Sequence, residues 1–111
     1  MSFDAYDVSL QLIDTLRPAA LALRGHDADL TDQLRRAASS VSLNLAEGRR
    51  RVGRDRAHHW RIAAGSADET RACLQVARAW GYLDDEVLAP SLVLVDRLLA
   101  MTWRLTHAPG R

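Results

Sequence analysis

The sequence predicts an all-α fold, an up-down-up-down four-helix bundle assembling as a homo-oligomer, and three observations carry that expectation. Apolar residues recur at steps of three and four along four separate stretches, the spacing of one face of an α-helix. Hydrophobic residues make up 48% of the 111-residue chain but aromatics only 5%, so the interior is built from Leu, Ala and Val, which suits close-packed helices better than a sheet. Strand-like alternation, low-complexity tracts and internal repeats are absent. A chain of this length is most economically one domain, residues 1–111, around one core. The periodicity places helices at about 3–24, 29–51, 55–80 and 85–106.

The first helix carries Tyr6, Leu10, Ile13, Leu16, Ala20 and Leu23 on one stripe and stops at Gly25. Pro18 removes one ladder hydrogen bond and predicts a kink near Asp14. Asp29, with Asp32 three residues on, is a relative of the capping box for the second helix. That helix lines up Leu30, Leu34, Ala37, Val41, Leu45 and Gly48 until "RRVGR" breaks the pattern. The third helix has one stripe through Ile62, Ser66, Glu69, Cys73, Val76 and Trp80, and a second through Trp60, Ala63, Ala67, Leu74 and Ala77. A small monomer needs one buried stripe per helix, so this breadth points to packing against another subunit. Gly81 closes the third helix, Asp84 caps the fourth, and Asp85 and Glu86 favour its first turn. Leu88, Leu92, Val95, Leu98, Thr102 and Leu105 form the last stripe. Pro90 predicts a kink or a delayed start there, and the tail "HAPGR" is expected to fray.

Composition excludes several classes. Charges interrupt every long apolar stretch, so no window reaches the roughly 18–20 residues of a membrane span. "MSFDAYDVSL" opens with acids and has no basic region before an apolar one, unlike a signal peptide, so a cytoplasmic location is expected. The single cysteine, Cys73, cannot form an internal disulfide and reads as a buried small residue. A di-metal bundle needs two Glu-x-x-His motifs and two further carboxylates, whereas this chain offers Asp55-x-x-His58 once. His58 and His59 are adjacent, about 100° apart on a helix, and do not share one ion easily. No Gly-x-Ser-x-Gly elbow surrounds Ser66, and phosphate-binding glycine signatures are missing. The expectation is no catalysis, no cofactor, no metal and no small-molecule substrate.

The net charge of +1 conceals an uneven distribution. Residues 1–34 carry −4, residues 35–61 carry +6 and residues 62–111 carry −1, and all fifteen basic residues are Arg. Five of them, Arg49, Arg50, Arg51, Arg54 and Arg56, fall in the turn between helices 2 and 3. In an up-down-up-down bundle that turn shares an end with both chain termini, giving that end +3 and the opposite end −4. Cations complement the C-terminus of helix 2, and a turn is solvated anyway, but five arginines exceed what that requires. With His58, His59 and Trp60 nearby as stacking surfaces, the segment has the make-up of a phosphate contact.

The stretches "QLRRAASSVSLNLAEG" and "RIAAGSADETRACLQVARAWGYL" resemble the 23S rRNA intervening sequence protein family, also called the four-helix bundle protein family. The matching elements are Gln33 to Ala37, Ser40 and Val41, Asn44 to Gly48, Gly65 with Ser66 and Glu69, and Gly81 to Leu83, with Ser42 where members often have proline. The resemblance implies the bundle and a homopentamer. It also implies kinship with the accessory variability determinants of diversity-generating retroelements, basic pentamers that partner a reverse transcriptase. Asn44 and Glu47 recur three apart on helix 2 and Ser66 and Glu69 on helix 3, which reads as a hydrogen-bonded network with Arg36 or Arg61 fixing register or subunit orientation. The functional expectation is a non-catalytic oligomeric scaffold whose basic end binds nucleic acid or a ribonucleoprotein. The alternative is an adaptor whose arginine turn docks an acidic protein.

Overall fold

The computed structural model describes residues 3–107, and the tail beyond His107, with Arg111, lies outside the described residues. Four helices, α1 (Asp4–Arg24), α2 (Ala28–Arg49), α3 (Gly53–Ala79) and α4 (Asp85–His107), form a bundle of 44 × 24 × 22 Å. Each helix packs on its neighbours in sequence, and α1 closes the ring against α4. Cross-links fix the directions: Arg24 pairs with Asp32, Ser40 with Ser66, and Arg78 with Asp85, so α1, α2, α3 and α4 alternate up and down. The α2–α3 turn therefore shares its end with the start of α1 and the end of α4.

The core is a column of leucines with small residues between them. Leu12, Leu23, Leu34, Leu45, Leu74, Leu88 and Leu98 are fully buried, and Ala19, Ala63, Ala67 and Ala77 let the helices approach. The expected stripe of α2 is buried throughout, and α4 buries Leu88, Val95, Leu98 and Thr102 as its spacing predicts. On α1 the buried face is instead Ala5, Val8, Leu12, Leu16, Ala19 and Leu23, while Leu10 is exposed and Tyr6, Ile13 and Ala20 lie at the edge. Apolar residues cover more than one side of α1, so spacing alone does not say which side faces inward. On α3 the stripe through Ala63, Ala67, Leu74 and Ala77 is the inner one; Ile62, Glu69, Val76 and Trp80 point outward.

Local chemistry explains the helix ends. Asp27, in extended backbone, accepts from the Leu30 N–H at 2.9 Å, so it and not Asp29 caps α2. Gly81, at φ +77°, ends α3 in a Schellman motif, its N–H bonded to Arg78 O and that of Tyr82 to Ala77 O. Asp84 caps α4 through the Val87 N–H at 3.0 Å. α3 begins at Gly53, ahead of the Asp55 that its periodicity implies, because Gly53 takes φ +57° and turns the chain within Arg50–Val52. α1 runs unbroken through Pro18, and α4 starts at Asp85 despite Pro90. Both prolines are exposed, where water reaches the carbonyls they leave unbonded at Asp14 and Glu86.

Candidate nucleic-acid interface

The α2–α3 turn is held from beneath. Gly48 is buried at the end of α2 because Trp60 of α3 lies across it: a Cβ there would fall 2.5 Å from the indole Cδ1 and 2.6 Å from Nε1. That approach brings Arg56 onto the end of α2, where Nε donates to Gly48 O and Nη2 to Arg49 O, each at 3.1 Å. Two carbonyls of the last turn of α2, Arg49 O and Gly48 O, the latter also accepting from the Arg51 N–H, thereby bond to a cation, the favourable sign for that end. The Arg56 guanidinium carbon also lies 5.3 Å from the Trp60 ring centroid.

The other arginines divide by what they touch. Arg51 bridges Glu47 at 3.1 Å and Asp55 at 3.5 Å. The hydrogen bond from Arg51, then its charge, hold the Glu47 carboxyl below its usual range, and the same pairing raises Arg51. Arg49 lies over the rings of Tyr6 at 5.2 Å and Phe3 at 5.7 Å, and Phe3 in turn packs 5.7 Å from Trp60. Arg50 and Arg54 are exposed and make no side-chain hydrogen bond, ion pair or ring contact among the described residues. Val52, between them, is 78% exposed. Three of the five arginines expected to bind phosphate thus also build the turn, and two stand clear of it.

The polar network is smaller than its spacing implies and uses different members. Asn44 donates to Ser40 O and Oγ at 2.9 and 3.2 Å, while its Oδ1 faces His59 Nδ1 at 3.0 Å. Ser66 Oγ donates to Ser40 Oγ at 2.8 Å, which closes a seam across α2 and α3. Asn44 and Ser66 are therefore brought together as expected. Glu47 is drawn away by Arg51, and Arg36, Arg61 and Glu69 are exposed and make no side-chain hydrogen bond to the seam among the described residues. The seam contains Ser40, four residues before Asn44 on α2, and His59 of α3, whose part spacing within one helix does not reveal because it acts across the helix pair. Likewise Phe3 and Tyr6 join the arginine turn only once α1 and α2 are side by side.

The seam also has a chemical reading. His59 has an orienting partner in Asn44, but the two serine hydroxyls bond to each other rather than to the imidazole, so no activated nucleophile is assembled. Among the described residues no group of three or more His, Cys, Asp or Glu side chains could hold a metal ion, and no helix is long and apolar enough to cross a membrane.

Comparison with known proteins agrees with this architecture. The family model described as 23S rRNA-intervening sequence protein matches residues 3–104. The fold is shared with a crystal structure of a protein of unknown function from the S23 ribosomal protein family of Bacteroides thetaiotaomicron VPI-5482. The two superpose with a TM-score of 0.86 at 18% identity over 94% of this chain and 99% of the other. No curated protein matches the sequence.

Proposed function

The chain belongs to the 23S rRNA-intervening sequence protein family, and from that premise we propose a cytoplasmic, non-catalytic, homo-oligomeric scaffold whose basic end binds nucleic acid or a ribonucleoprotein. The observation that carries this reading is the pair Arg50 and Arg54, exposed and, among the described residues, without an intrachain partner on a turn whose other arginines are already held in place. Segment 49–56, five Arg and Asp55, carries +4. In the pentamer that the family resemblance implies, with the basic ends on one side, that becomes about +20 per ring, a field that attracts a phosphate backbone. No base-reading motif accompanies the arginines, so recognition is weakly sequence-selective. Kinship with the accessory variability determinants would make the ribonucleoprotein a reverse-transcriptase complex. A second reading, an adaptor for an acidic protein, draws support from Val52, an exposed apolar residue at the apex of the turn.

The test is a salt titration of binding to structured RNA and duplex DNA, with the mass followed by light scattering in the same buffers. Replacing Arg50 and Arg54 with Ser removes charge without touching the cap of α2. The expected outcome is weaker binding, a salt slope shallower by about one for each phosphate no longer neutralised, and an unchanged mass. Unchanged affinity sinks the assignment, and absence of binding at low salt by an intact oligomer turns the reading to the protein partner.

A further inference from the structure

We infer that the basic end takes its nucleic acid single-stranded, with unpaired bases stacked on the guanidinium planes of Arg49 and Arg56. The inference rests on the nucleic-acid reading above and specifies the form of the ligand. Its basis is a row of planar side chains crossing the tip of the bundle in the order Tyr6, Arg49, Phe3, Trp60, Arg56. Successive separations are 5.2, 5.7, 5.7 and 5.3 Å, although the members come from three helices and the residue preceding α1. Phe3, just ahead of α1, and Tyr6, in its first turn, are three apart and both meet Arg49, which remains exposed. Arg49 is exposed and Arg56 partly so, and Arg56 is further fixed by its two bonds to Gly48 O and Arg49 O. These flat cations are ordered in folding, so a ligand need not order them on binding.

The division of contacts follows. Arg50 and Arg54 stand apart from the row and suit phosphates, which need charge and tolerate motion; Arg49 and Arg56 are oriented planes and suit bases. In a duplex the base faces are stacked on one another and unreachable, so oriented planes add nothing to its binding. A purely electrostatic tip would instead favour the duplex, whose phosphates are denser along its axis. The two possibilities therefore order the same pair of ligands oppositely.

The experiment compares an unstructured, uridine-rich RNA strand, fluorescently labelled, with the same strand annealed to its complement, at one ionic strength and then across a salt series. Wild-type protein is expected to bind the single strand tighter than the duplex by on the order of tenfold. Arg49→Lys keeps the charge and the attraction to the rings but removes the flat outer face. It is expected to weaken single-strand binding about five- to tenfold with the salt slope and duplex affinity unchanged. A duplex bound as tightly as the single strand overturns the inference while leaving the nucleic-acid reading in place. So does an Arg49→Lys protein that binds like wild type, which would make the planar row a device for anchoring α1 alone. No binding of either ligand at low salt overturns the reading and the inference together. The wild-type comparison stands even if the substitution lowers stability.

Discussion

Replacing Gly48 with Ala tests the contact on which the α2–α3 turn rests. In the interior of a helix this exchange normally stabilises by about 1 kcal/mol, because alanine loses less backbone entropy. Here the new methyl would fall 2.5 and 2.6 Å from two atoms of the Trp60 indole and 3.3 Å from Arg56 O. Ordinary contact between carbons needs about 3.5–4 Å, so the ring has to retreat by about 1 Å. Trp60 is rigid and is held by Phe3 on one side and Arg56 on the other, so retreat disturbs both. Overpacking of this kind costs about 1–3 kcal/mol, and with the ring unable to swing aside the upper value applies, leaving a net loss of about 2 kcal/mol. For a chain of this size that is about 8 °C in melting temperature, read by far-ultraviolet circular dichroism. Gly65→Ala, where nothing lies within 4 Å, supplies the propensity baseline and is expected to melt slightly above wild type. In a Trp60→Leu background the overpacking should vanish and the propensity gain of about 1 kcal/mol remain, a coupling of about 3 kcal/mol. A Gly48→Ala protein melting at or above wild type would mean that the indole does not press on the helix end.

Three further outcomes are expected. Asn44→Ala leaves His59 without its partner in the seam and removes the two bonds to Ser40, and should cost about 1–3 kcal/mol by denaturant unfolding, whereas Glu69→Ala, at an exposed position, should be close to neutral. Glu47 and Asp32 are lowered from their ordinary 4.5 and 3.8, chiefly by the hydrogen bonds from Arg51 and Arg24. A lowered carboxyl contributes stability that is present above the unfolded value and lost as pH falls through the folded one. Carboxyl titration by NMR should therefore show Arg51→Gln returning Glu47 toward 4.5 and leaving Asp32 where it was. Burial raises the Cys73 thiol, with Glu69 adding to it, so a thiol-specific reagent at neutral pH should label it at the rate of unfolding, and immediate labelling of native protein would contradict its placement.

Where a residue acts along one helix, the sequence is legible. The α2 stripe, the cap at Asp84 and the stop at Gly81 all follow from spacing and from which residue types tolerate a helix end, whereas on α3 spacing gives two stripes and does not say which faces inward. The inward side of α1 does not, because Leu10, Leu12, Ile13 and Leu16 supply more apolar surface than one stripe can bury. Residues that act between helices are hidden for a different reason. Asn44 and His59 sit on different helices, so the periodicity of either one carries no information about their meeting. Only the antiparallel register of α2 and α3 brings them together, and that register is set by the turn, whose Gly53 conformation spacing does not report. The same holds for Arg56, whose neighbours in sequence give no sign that it closes the end of α2.

The order in which the helices pack bears on how the chain reaches its fold. Three of the four helix interfaces join neighbours in sequence across turns of a few residues, and the α1–α4 seam requires distant parts of the chain to meet. Loop closure loses little entropy at the three short turns and much more at that one seam, so the search for the native state is mostly local. The α2–α3 hairpin has the most extensive interface, and with Trp60 seated on Gly48 and Arg56 on the end of α2 it contains its own clasp. It is the natural nucleus, onto which α1 and α4 condense, and the arginine turn is then among the earliest parts of the molecule to acquire its shape.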